Sequence, residues 1–145
     1  MLNKKEIKEE FLTEQEYFAI KRNIEIISDT WSDLWEMLYL SQAKPRQLLW
    51  ARFDDVNEEM LLLASTKGLK GRRIANKQGV KKIILSRRSK YPEDVFIFQS
   101  HTNRTKATPR PVTLVAFNTA LKKASIGVTT KTVSSKSAYC FNQEK

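Results

Sequence analysis

Apolar residues return at helical spacing through the first third of the chain, and that rhythm restricts the fold to packed helices. Tyr17, Ile20, Ile24 and Ile27 recur every three or four positions, with Lys21, Arg22 and Glu25 on the opposite side. Thr13 followed three residues later by Glu16 is a reciprocal capping box, which predicts a helix start near Glu14. A second stretch, Trp31, Leu34, Trp35, Leu38 and Tyr39, follows the same period, so its aromatics read as core. Lys44-Pro45-Arg46-Gln47-Leu48-Leu49 opens a third helix, with Pro45 in the first turn where no amide is needed, running to about Ala51 or Arg52.

Downstream the period changes. Asp54 to Asn57 is turn chemistry, and Met60 to Ala64 is a short apolar run of strand length. A basic connection from Thr66 to Gln78, punctuated by Gly68 and Gly71, leads to Val80-Lys81-Lys82-Ile83-Ile84-Leu85, which reads as the returning strand of a long hairpin with a cationic tip. Arg87 to Pro92 reads as loop, Val95 to Phe98 as a buried extended segment, and Gln99 to Pro111 as a basic loop. A fourth helix follows from Thr113 on Phe117, Ala120, Leu121 and Ala124, closing at Lys122-Lys123 and Gly127. A last short helix is expected from Val133 to Cys140. The fold class is mainly α with a small antiparallel β-hairpin (α+β). Its 145 residues suit one domain, with residues 1 to 10 as a charged leader.

Charge separates along the chain. Residues 1 to 64 carry 8 basic and 13 acidic side chains, whereas residues 65 to 145 carry 18 basic and 3 acidic, for a net +10 overall. A polyanion meeting the second half would release condensed counterions, so nucleic acid is the natural partner; a lysine-rich solubilising surface is the alternative. Arg72, Arg73, Arg87, Arg88, Arg104 and Arg110 can fork onto phosphates. One cysteine, Cys140, permits no internal disulfide, and with one histidine, His101, no Cys/His metal cage can form. No phosphate loop or dinucleotide fingerprint occurs, so no cofactor and no metal is expected. The longest apolar run is far short of a membrane span and no secretory signal opens the chain, which makes cytoplasm the expected compartment.

Ser41-Gln42-Ala43-Lys44-Pro45-Arg46-Gln47-Leu48-Leu49-Trp50-Ala51-Arg52-Phe53-Asp54-Asp55-Val56 resembles, without a gap, the first conserved box of the tyrosine recombinases, the phage-integrase family. That box reads Thr-Gly-Leu-Arg-Ile-Ser-Glu-Leu-Leu-x-Leu-x-Trp-x-Asp-Ile. Phe11 to Tyr17 is similar to the family's Leu-Thr-x-Glu-Glu opening, Val95 to Ser100 to its Leu-Phe-Pro-Ser segment, and Phe117 to Ala124 to its helix before the second box. The four pieces stand in the family's order, and the resemblance covers roughly residues 11 to 141.

The resemblance implies a truncated and degenerate catalytic-type domain. Lys44 takes the place of the box-one arginine, keeping charge but losing the bidentate fork. The second box, His-x-x-Arg, falls on Lys131-Thr132-Val133-Ser134, changed at both functional positions. The family's nucleophilic tyrosine lies on a helix beyond this box, and its DNA clamp uses a further amino-terminal domain; neither is expected here. Tyr139 stands too close behind the box to be the nucleophile. Lys67 or Lys70 matches the family's hairpin lysine, the proton donor to the leaving oxygen. No catalytic residue is therefore expected. Lys44, Arg46, Lys67, Lys70, Arg72, Arg73, Arg104, Lys106, Arg110 and Lys131 become candidate contacts to the backbone of double-stranded DNA. The implied function is a catalytically inactive, DNA-binding relative, encoded on a phage or other mobile element and modulating recombination or replication. Two alternatives stand beside it: a module that binds a recombinase or replication protein, and a recombinase subunit completed by a tyrosine in trans.

Overall fold

A computed structural model describes residues 11–102 and 108–138. Helix α1 (Glu14–Ile27) starts where the capping box requires: Glu16 N donates to Thr13 Oγ1 at 3.0 Å and Thr13 N donates to Glu16 Oε1 at 2.9 Å. Ser28 then caps α2 (Asp29–Ser41) through its hydroxyl, which accepts from Thr30 N. The two helices pack on Tyr17 and Trp35, whose rings stack at 5.2 Å, and the Trp35 indole donates to Tyr17 O at 3.2 Å. Helix α2 ends on Gln42, a non-glycine residue in the left-handed region (φ 57°), whose amide N–H reaches Leu38 O. Gln42 occupies the box-one position where the family pattern has glycine. The short α3 (Pro45–Leu49) and a 3-10 turn (Phe53–Asp55) follow.

Strands β1 (Met60–Leu63) and β2 (Arg72–Ala75) pair antiparallel, Leu61 opposite Ile74 and Leu63 opposite Arg72. The hairpin tip is a two-residue turn. Thr66 and Leu69 exchange both backbone hydrogen bonds, at 3.0 and 2.8 Å, around Lys67 and Gly68. Gly68 has φ +79° while Lys67 is not left-handed, the pattern of a type II turn.

Two expectations are corrected here. The returning strand is Arg72–Ala75, and Val80 to Leu85 lies within helix α4 (Gln78–Lys90), which also absorbs most of the expected loop from Arg87 to Pro92. The physical reason lies beyond Leu85: Val80, Ile83, Ile84 and Arg87 are the buried residues of α4, at i, i+3, i+4 and i+7. The arginine that completes this stripe is fully buried. Its Nε donates to Ile97 O at 2.6 Å, Nη1 to Asp33 at 2.9 Å and Nη2 to Thr30 Oγ1 at 2.8 Å. Burial pushes the Asp33 carboxyl up despite the opposing pull of Arg87. Nearby, burial also acts to raise Asp29, but hydrogen bonds from Lys90 and Tyr91 outweigh it and hold that carboxyl below its usual value. Gly79 lets α4 approach α2, since a Cβ there would stand 3.0 Å from Leu40 Cδ1.

Phe96, Ile97 and Phe98 are buried beside Ala51 to Phe53, joined by Ile97 N to Ala51 O and Phe53 N to Val95 O, both 3.0 Å. The expected extended segment is instead a turn at Ile97 and Phe98 between isolated bridges at Phe96 and Gln99, with Val95 only half-buried. Helix α5 (Leu114–Ser125), capped by Thr113, packs on α1 and buries Phe117, Ala120, Leu121 and Ala124. Ser135 N donates to Asn118 of α5, anchoring the following turn, and a helix begins at Ser137. Tyr139 and Cys140, the end of the last expected helix, lie outside the described residues. No helix among the described residues is long and apolar enough to cross a membrane.

Candidate nucleic-acid interface

Lys44 is the N-cap of α3, its carbonyl accepting from Gln47 N and Leu48 N at 3.1 and 2.9 Å. Because Gln47, Leu48 and Leu49 face the core, Lys44 and Arg46 face solvent. The buried Gln47 amide then ties the hairpin to α3, donating to Ala64 O at 3.1 Å and Lys70 O at 2.6 Å. That tether brings the tip turn beside the α3 cations. Lys44, Arg46, Lys67, Leu114, Ser135 and Lys136 together line an open depression of about 470 Å³. A groove of about 360 Å³ shares Arg46 and Leu114 with it and adds Trp50, Arg110 and Pro111. Among the described residues, no carboxylate lines either one.

The remaining candidates are placed differently. Lys70 is exposed behind the tip. Arg72 directs its guanidinium at the end of α2, Nη1 donating to Gln42 O at 2.9 Å, so it fastens β2 as well as carrying charge. Arg73, opposite Leu62 and exposed, lines a separate basic depression with Lys77 and Gly79. Lys131, in the second-box register, is engaged inside the protein: its Nζ donates to Phe11 O at 2.8 Å and to Glu16 Oε1 at 2.9 Å. Burial acts to raise Glu16, but the Thr13 amide and Lys131 prevail and lower it. Arg104 and Lys106 lie outside the described residues. Of the other arginines of the basic half, Arg87 is buried, and Arg88 lies over the Phe53 ring at 3.9 Å while donating to Pro92 O. His101 is held by Asp94, Nε2 to Oδ2 2.7 Å, and stacks on Tyr91 at 4.3 Å.

With this geometry in view, comparison with solved structures is decisive for the fold. A lambda integrase dimer bound to a COC' core site matches with TM-score 0.78 at 12% identity, covering 95% of this chain and 52% of that one. A lambda integrase tetramer bound to a Holliday junction matches at TM-score 0.76 and 12% identity, over 95% of this chain and 42% of that chain. The fold is that of a tyrosine-recombinase catalytic domain. The chain thus spans about half, or less, of the integrase chains it resembles. No protein-family model matches the sequence, and no curated protein matches it.

Within this fold, the start of α3, the hairpin tip and the turn at Ser135 and Lys136 meet at one depression. Exposed lysine and arginine heads there can hold a polyanion by charge. Strand cleavage asks for more: a nucleophile, a proton donor and paired forks on the developing charge. Sequence reasoning missed Lys136, which lines this depression, and Trp50, which lines only the neighbouring groove. Lys136 gives no local sign, whereas Trp50 stands between buried Leu49 and Ala51 at the end of α3, a place that turns a side chain outward.

Proposed function

We propose that this chain binds double-stranded DNA through its phosphate backbone and does not cleave it. The observation that carries the reading is the gathering of Lys44, Arg46, Lys67 and Lys136 on one open depression that no carboxylate among the described residues lines. The DNA-bound state of the lambda integrase structures supports it. Arg110 lines the adjoining groove, and the exposed Lys70, Arg72 and Arg73 add positive charge elsewhere on the hairpin. Inactivity is supported by three substitutions: Lys44 cannot present a bidentate fork, and Lys131 and Ser134 stand where the family pattern has histidine and arginine. Lys131 is moreover engaged with Glu16. Occupying DNA without cutting it, such a protein would modulate recombination or replication, the role expected of an inert relative on a mobile element.

Anisotropy of labelled duplex DNA, titrated from low to physiological salt, tests the reading. Affinity should fall linearly on logarithmic axes, by about 0.9 in slope per phosphate engaged. Lys44→Ala should lower that slope by about 1, and a Lys67/Lys70 double alanine by about 1 to 2. Absence of binding at low salt sinks the proposal. A covalent protein–DNA adduct on nicked duplex that disappears with Tyr139→Phe would overturn the inert reading alone.

A further inference from the structure

Trp50 is 57% exposed although both of its neighbours in sequence are buried. Its ring meets Phe96 nearly at right angles, centroids 5.8 Å apart, a contact that steadies the indole without covering it. The groove it lines has an apolar floor and wall from Leu49, Pro111 and Leu114, with an arginine contributed by each of two separate segments, Arg46 and Arg110. A flat aromatic surface between cations is the arrangement by which proteins hold unpaired bases: the ring stacks on the base and the guanidiniums take the adjoining phosphates. Bases inside a duplex have both faces covered, so only an unpaired one can use the indole. Arg46 also lines the depression assigned above to duplex phosphates.

We propose that the Trp50 groove is a stacking site for an unpaired nucleobase, so that the protein prefers DNA in which duplex gives way to single strand. The inference rests on the duplex-binding reading for the position of that strand, and on Trp50 alone for the preference itself.

Three probes separate the two: a blunt duplex, the same duplex with an oligo-dT overhang, and free oligo-dT, each titrated against the full chain by anisotropy and tryptophan emission. The overhang should bind about 5-fold or more tighter than the blunt duplex and quench emission further. Trp50→Ala should abolish that difference while changing blunt-duplex affinity less than about twofold, and Trp50→Phe should retain part of it. No overhang preference in the unaltered protein, or a preference that survives Trp50→Ala, overturns the inference. So does equal weakening on both duplexes by Trp50→Ala and Trp50→Phe, or a self-association that Trp50→Ala dissolves, which would make a second copy the occupant. Trp50-dependent binding of free oligo-dT without blunt-duplex binding would support the stacking site while removing the duplex reading and, with it, the preference for a junction.

Discussion

A guanidinium with no exposed surface has to direct its whole donor fork into the protein, and Arg87 reaches Ile97, Asp33 and Thr30 from α4. Taking the fork away leaves Asp33 in a half-buried site without its partner. Arg87→Ala is therefore expected to cost about 3 to 5 kcal/mol, measured by urea unfolding. Arg87→Lys should recover little, because a single ammonium cannot reach three divergent acceptors. A loss below about 1 kcal/mol would show the node to be dispensable. The same residue shows why a count of arginines overstates a phosphate-binding surface: Arg87 and Arg88 sit in the basic half of the sequence, yet the fold uses one inside its core and the other on Phe53.

At the scale of elements, α4 is where chain and fold disagree most, and a proline decides it. Lys82 is exposed and well inside the helix, so Lys82→Pro should cost about 3 kcal/mol or more, while Lys82→Ala should be neutral or slightly stabilising. Equal effects of the two, read from thermal melts, would refute the helix. Helices α1, α2 and α5 were legible because a side-chain cap marks each start and an apolar stripe of one period runs through each. In α4 the equivalent cap is Lys77, which makes no side-chain cap bond, and the stripe closes only through an arginine that no hydrophobicity pattern would count. The second strand was hidden for a related reason. Arg72-Arg73-Ile74-Ala75 buries only Ile74, since the hairpin turns one face to solvent. The candidate depression was partly legible, because the box-one register fixed Lys44 and Arg46 and the glycines marked the tip. Lys136 joins it only through the turn that Asn118 anchors at Ser135, a contact spanning 17 residues.

Over the whole molecule, the separation of charge along the sequence is partly undone by folding. Asp29 pairs with Lys90, Asp33 with Arg87 and Glu16 with Lys131, so acids of the first half neutralise bases of the second. What stays unbalanced is a net +10, and its self-repulsion opposes the compact state. Raising sodium chloride from about 0.05 to 0.5 M should therefore raise the thermal midpoint while weakening DNA binding, opposite signs from one cause. A midpoint that falls would mean the ion pairs dominate instead. The Lys131–Glu16 pair has a further consequence, in time. It joins residues 115 apart in the chain, so it can close only after the intervening helices have found one another. A contact made that late adds little to the speed of folding. It acts as a latch on opening, so Lys131→Ala is expected to speed unfolding a few-fold at most, about 1 kcal/mol, and to leave the folding rate unchanged.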